Sequence, residues 1–225
     1  MKLLKALIPA WIALAVYVAF ILWARTRMPD TPIAVHFDVH MTPDRYQPRD
    51  KALFRSIFMV AALLTALTVA PFIAPPKGAL ERSAKAYGVV CLAIVGCICL
   101  VFSNAAFQGL HWPVGAAQLL AVSLGLLFTV VGNYLTKVRP NFIYGVRTPW
   151  TLANEAVWDK THRLAGPVMV AGGLLVLIGG LLLPGQVMLF VLVGVVLPAL
   201  LTIPYSWWLW TKLPAEEKRR VRIGA

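Results

Sequence analysis

Three side chains capable of chemistry stand at helical spacing within the one long polar stretch of this chain: Glu155, Asp159 and His162. A carboxylate and an imidazole at i and i+3, as at Asp159 and His162, can share a metal or pass a proton on one helix face. At about 100° per residue these three fall on one arc with Trp158, while Ala153, Ala156, Val157 and Leu164 face the other way. A second set, His36, Asp38 and His40, alternates with a period of two, placing two imidazoles and a carboxylate on one face of a strand. Neither set completes a catalytic or metal-binding constellation. The helix lacks a second histidine and a nucleophile with its base, and the strand lacks a fourth ligand. A solvated polar face explains both patterns, so no enzymatic activity and no cofactor is expected. A metal at His36, Asp38 and His40 is the weaker alternative.

The elements that must hold these residues are membrane spans. Of 225 residues, 60% are hydrophobic and only 13% charged, more apolar surface than a soluble domain of this length could bury. Six runs approach the roughly 20 residues that cross a hydrocarbon core as a helix: 6–24, 56–74, 86–108, 114–136, 167–183 and 187–210. The first is too long for a signal segment and ends in Trp-Ala-Arg-Thr-Arg without a small-residue cleavage pattern, so it is expected to be retained. The predicted fold class is an all-α membrane protein: six transmembrane helices, a small extended extracytoplasmic loop domain and a cytoplasmic amphipathic helix. Residues 1–24 form the first span, 25–55 the loop domain, 56–136 spans two to four, 137–166 the polar loop and amphipathic helix, 167–211 spans five and six, and 212–225 a basic tail.

Orientation follows from charge, because Lys and Arg accumulate in cytoplasmic loops. With six spans, fifteen of the 21 Lys and Arg share the side of the termini, among them Lys77, Lys137, Arg147, Arg163, Arg220 and Arg222. The other six, Arg25, Arg27, Arg45, Arg49, Lys51 and Arg55, fall between the first two spans. Both termini and the polar stretch are therefore expected in the cytoplasm, with residues 25–55 on the far side of the membrane. The net charge of +12 is then a matter of topology and anionic lipid, not of nucleic acid. Cys91, Cys97 and Cys99 all lie within the third span and read as small apolar residues.

Residues 33–41 alternate throughout and read as one half-buried strand, followed by a turn at Thr42-Pro43-Asp44. A lone strand is unstable, so its edge must pair with the rest of its own loop, a second subunit or an incoming peptide. Within the spans, Gly172-Gly173 and Gly179-Gly180 read as helix contacts, Pro198 and Pro204 as interruptions of the sixth span, and Tyr205 to Trp210 as an interfacial aromatic belt. In the polar stretch, Thr151 reads as the cap of a helix running to about Leu164, and Arg147 as a partner for Glu155 or Asp159.

The order G-N-Y, K-V-R-P-N, G-V-R-T-P-W-T-L, V-W and K-T-H-R across residues 132–163 resembles the signature of the SdpI family of bacterial membrane proteins. His36-Phe37 and Pro43-Asp44-Arg45 resemble a short extracytoplasmic domain that often precedes it, in which a glycine stands where this chain has Met41. The resemblance implies immunity to a secreted toxic peptide met outside and signalling to a cytoplasmic repressor inside, with the lipid bilayer as the common partner. The alternative is a small-solute or peptide transporter. Ligand or signalling candidates are His36, Asp38, Asp44, Asn133, Asn141, Arg147, Trp150, Glu155, Trp158 and His162. The charge split predicts that Asp38→Cys reacts with a membrane-impermeant maleimide in intact cells; reaction only after permeabilisation would reverse the topology.

Overall fold

The computed structural model describes residues 2–73 and 79–219. Lys77, Arg220 and Arg222, counted above in the charge split, lie outside the described residues, as does the end of the basic tail. Among the described residues, six helical segments are long and apolar enough to cross a membrane. They are α1 (Lys2–Arg27), α2 (Arg49–Ile73), α3 (Ala84–Gly109), α4 (Ala116–Leu135), α6 (Glu155–Leu182) and a composite sixth span over Pro184–Thr211. This is a multi-pass membrane protein. Large apolar side chains such as Val16, Phe58, Leu182 and Leu201 point away from the bundle, as lipid-facing residues must.

The ends of the bundle are identified by what packs there. Leu3 and Leu7 of α1 meet Leu80, Tyr87, Ile143 and Tyr144, so the N-terminus, the link before α3 and the loop after α4 share one end. Met28, Ile33, Ala52 and Leu110 gather at the other. Between the ends, most polar side chains bond within their own helix, as Thr68 to the Leu64 carbonyl and Ser103 to that of Cys99. Tyr17 instead crosses to α2 and donates to Ser56 Oγ at 2.7 Å.

The most extensive helix contact joins α4 to α6. In lipid, apolar surface gains little by leaving hydrocarbon for protein, so close backbone packing must supply the association. Gly166, Gly173 and Gly180 recur every seven residues along α6, and Gly125 and Gly132 do so along α4. A Cβ at Gly132 would stand 2.7 Å from the Gly166 carbonyl oxygen, and one at Gly173 2.5 Å from the Thr129 nitrogen. Gly172, expected as a contact residue, meets the backbone of Gly194 in the sixth span. That span runs as a short 3-10 turn (Pro184–Gln186), α7 (Val187–Val191), a wider π turn (Leu192–Val196) and α8 (Leu197–Thr211). The wide turn stands where Pro198 would press on the Gly194 carbonyl of a regular helix. A short α9 (Ala215–Arg219) follows.

Between α1 and α2, strand β1 (Ile33–Phe37) pairs antiparallel with β2 (Pro43–Gln47). The strand is thus shorter than its alternation indicates, and of the three partners considered it takes its own loop. Residues 38–42 make the turn, with Asp38 Oδ1 accepting from the His40 and Thr42 nitrogens at 2.9 and 2.8 Å. Met41 sits at φ 62°, in the left-handed region that glycine occupies without strain. His36 pairs with Asp44 across the hairpin at 2.6 Å. With Asp38 committed to the turn, His36, Asp38 and His40 are not assembled as a ligand set, and no group of three metal-ligating side chains occurs among the described residues. Behind the hairpin, Arg25 grips Asp50 through two hydrogen bonds, and Arg49 bonds Asp50 and the Met28 carbonyl, fastening α1 to α2.

The seam between α4 and α6 makes an asymmetric prediction about glycines. Gly173→Val should cost at least about 1–3 kcal/mol, because the backbone of α4 has no room to move aside. Gly96→Ala, where an added Cβ meets nothing within 4 Å, should gain up to about 1 kcal/mol of helix propensity. Unfolding of the two variants in mixed detergent measures both.

Candidate functional site: the loop between the fourth and fifth spans

The polar stretch folds as a knot closed by its own side chains. After Pro140 the chain reverses around Asn141, which is 2% exposed. Its Oδ1 accepts from the Ile143 and Tyr144 nitrogens at 2.8 and 2.9 Å, and its Nδ2 donates to the Arg139 carbonyl at 2.8 Å. All three bonds serve the turn, because an asparagine side chain can stand in for a peptide group. Gly145 follows at φ 112°, and a Cβ there would meet His162 Nε2 at 2.6 Å.

The knot then docks on the first turns of α6. Val146 N donates to His162 Nε2 at 3.0 Å, while Nδ1 of the same ring lies 2.8 Å from the Trp158 carbonyl. An amide can only donate and a carbonyl only accept, so the ring is neutral, with its proton on Nδ1. Trp158 stacks on it at 4.1 Å between centroids and donates from Nε1 to the Val138 carbonyl at 2.9 Å. With 0% and 1% exposure, Trp158 and His162 form the floor of the loop.

A third fastening comes from threonines. Thr148, not Thr151, caps the short helix α5 (Pro149–Ala153), and the two exchange bonds in a capping box: Thr148 N donates to Thr151 Oγ1 at 2.9 Å and Thr151 N to Thr148 Oγ1 at 3.3 Å. Thr148 Oγ1 also shares a hydrogen bond with Ser206 Oγ at 3.0 Å, and this pins the loop to α8. Asn154 then caps α6, accepting from Ala156 and Val157.

Several expectations are corrected by this arrangement. The amphipathic helix is no separate surface element: from Glu155 it runs without a break into the fifth span. Its buried face carries Val157, Trp158, Thr161, His162 and Ala165, and Leu164 is exposed, because the loop folds back over the Trp–His side. Glu155, Asp159 and His162 therefore do not act together: both carboxylates are exposed and the imidazole is sealed beneath the loop with both nitrogens engaged. Arg147 donates to the Phe142 carbonyl at 2.6 Å and, among the described residues, makes no ion pair with Glu155 or Asp159. Asn133 is exposed and Trp150 half-buried on α5. The knot brings together Asn141, Arg147, Trp158 and His162; His36, Asp38 and Asp44 lie on the hairpin at the opposite end. Gly145, Thr148, Asn154 and Ser206 are the residues that sequence reasoning passed over. For two of them the signal is present: Thr148-Pro149 reads as a cap with proline at the first helical position, and Asn154-Glu155 as a cap with an acid after it.

The solvent face of this locked loop is mostly basic. Lys137, Arg139, Arg147, Lys160 and Arg163 are all exposed, against Glu155 and Asp159. Such a face can meet an anionic headgroup or an acidic protein surface without rearrangement.

Comparisons with known proteins fall on this same region. Residues 137–206 match the model of the SdpI/YfhL protein family. Over 104 residues the chain is 27% identical to Immunity protein SdpI of Bacillus subtilis (strain 168), covering 46% of this chain and 50% of that protein. The match thus spans about half the length of the curated relative. No solved structure matches.

The two asparagines of the signature should separate cleanly. Asn141→Ala leaves two backbone N–H groups and a carbonyl without their partner and should cost about 1–3 kcal/mol or more, whereas Asn133→Ala, at an exposed site, should stay within about 0.5 kcal/mol. Thermal unfolding of the purified variants, with limited proteolysis of the loop, reads the difference.

Proposed function

We propose that this chain, an SdpI-family membrane protein by its residues 137–206, protects a bacterial cell against a secreted toxic peptide and reports that peptide to a cytoplasmic repressor. The observation that carries the reading is the family match, which covers the knotted loop, α5, α6 and most of the sixth span, supported by the likeness to Immunity protein SdpI. In this reading the protein sits in the inner membrane with both termini cytoplasmic, as the excess of Lys and Arg on that side favours. The hairpin then faces the peptide, and the basic face of the knotted loop is the surface offered to the repressor. Such a role needs no bond-making step in the protein. It needs two faces joined by elements that move together, and α4 and α6, locked along their length, supply that joint.

The test is protection. A Bacillus subtilis 168 strain deprived of its own immunity protein and expressing this chain should survive the toxic peptide its relatives secrete, with viable counts at least tenfold above the empty-vector strain. Equal killing of both strains, with the chain present in the membrane at normal abundance, overturns the reading.

A further inference from the structure

The hairpin end holds a cavity that the knotted loop does not touch. It lies between β1 and the helices α2, α3 and α4 and measures about 300 Å³, within the range of about 300–1,000 Å³ typical of small-ligand sites. Its wall is mainly apolar, with Val35 and Phe37 from β1, Met59 from α2, Phe102 from α3 and Leu119 from α4.

Two polar groups interrupt that wall, and among the described residues neither side chain has a hydrogen-bond or ion-pair partner. Asn104 is 8% exposed, yet its carboxamide oxygen has no hydrogen-bond partner, and its amide makes no other hydrogen bond among the described residues. Leaving a buried polar group empty is unfavourable, so a group that could fill it from the cavity would gain that interaction. Arg55, also on the lining, makes no ion pair among the described residues, although nearby Arg25 and Arg49 are both matched by Asp50. His36 on the same lining is already held by Asp44.

These groups define the ligand. A carboxamide presents donor and acceptor side by side, as a peptide group does and an acyl chain does not. A free guanidinium selects a carboxylate, and the apolar wall selects aliphatic or aromatic side chains. Among the described residues, moreover, β1 is paired along one edge only. We propose that this cavity binds an apolar peptide segment bearing a carboxylate, with Asn104 bonding a peptide group and Arg55 the carboxylate. The proposal rests on the immunity reading for the side from which the peptide arrives, and extends it by naming where the peptide is held.

The full chain in nanodiscs of zwitterionic lipid is mixed with an equimolar pool of N-acetylated pentapeptides of Leu, Phe, Val and Gly, prepared as free carboxylates and as C-terminal amides, with dodecanoate as an acyl control. Peptide retained after gel filtration is counted by mass spectrometry. The carboxylate pool should be retained at least tenfold above empty nanodiscs. Arg55→Gln should lower it tenfold, to the level of the amide pool, Asn104→Leu should lower the carboxylate pool tenfold, and Ala105→Trp, which fills the cavity, should abolish retention. No retention above empty nanodiscs, or retention unchanged in Arg55→Gln and Ala105→Trp, overturns the proposal; so does dodecanoate that displaces the peptides, which would make this an acyl-chain site. Arg55 is exposed, so its variant tests the site without disturbing the fold. A chain that binds the pool as described but gives no protection in cells leaves the cavity standing and removes the immunity reading, and a chain that protects while Ala105→Trp binds like the parent does the reverse.

Discussion

The close approach of α4 and α6 is the constraint on which the rest of the structure depends. Between two helices in hydrocarbon, leucine against leucine gains little over leucine against lipid, so what holds a pair together is contact that lipid cannot imitate. Glycines at a seven-residue spacing supply it by letting backbone meet backbone: Gly132 against Gly166, and Gly173 against Thr129 and Gly125. The sixth span leans on the same helix from its other side through Gly172 and Gly194. Pro198 is accommodated by a wide turn at the very place where this contact forms.

The knotted loop inherits its geometry from that seam. α4 ends at Leu135 and α6 begins at Glu155, so the 19 residues between them must return to a helix already fixed beside the one they left. They manage it through local bonds, with Asn141 turning the chain, Gly145 passing over the His162 ring and Thr148 reaching Ser206. Dense signature residues that look like reactive groups in a list are, in place, largely the fastenings of a loop. The density is itself physical: backbone groups buried where the loop folds over α6 need partners, and these side chains supply them.

Much of the fold was legible because lipid imposes a simple rule on composition: the six apolar runs mark the spans to within a few residues at most of their ends. α2 begins at Arg49, before its apolar run, because Arg49 and Asp50 bond α1 and the loop behind it and so carry the helix past the hydrocarbon. The site was less legible. A helical projection places Trp158 and His162 with Glu155 and Asp159, and only the fold of residues 138–146 over that side reveals that the aromatic pair is buried and the acids are not. Similarly, alternation reveals β1 but conceals β2, since Pro43–Gln47 is polar on both faces. Met41 shows the same limit on a smaller scale: a methionine gives no sign that its backbone takes a left-handed turn.

The absence of any break in α6 has a mechanical consequence. A helix of 28 residues is a rod of about 42 Å at about 1.5 Å per residue. One end is clamped under the knotted loop by the His162 ring, and the other runs into the turn that leads to Met188, on the wall of the cavity beneath the hairpin. Pro167 removes one backbone hydrogen bond from this helix, but the helix stays continuous and transmits displacement by leverage: a tilt of about 5° at one end carries the other through about 4 Å on a rod of this length. A groove that widens by the size of one side chain is thereby geometrically equivalent to a tilt of about 5° at the clamped end beneath the knotted loop.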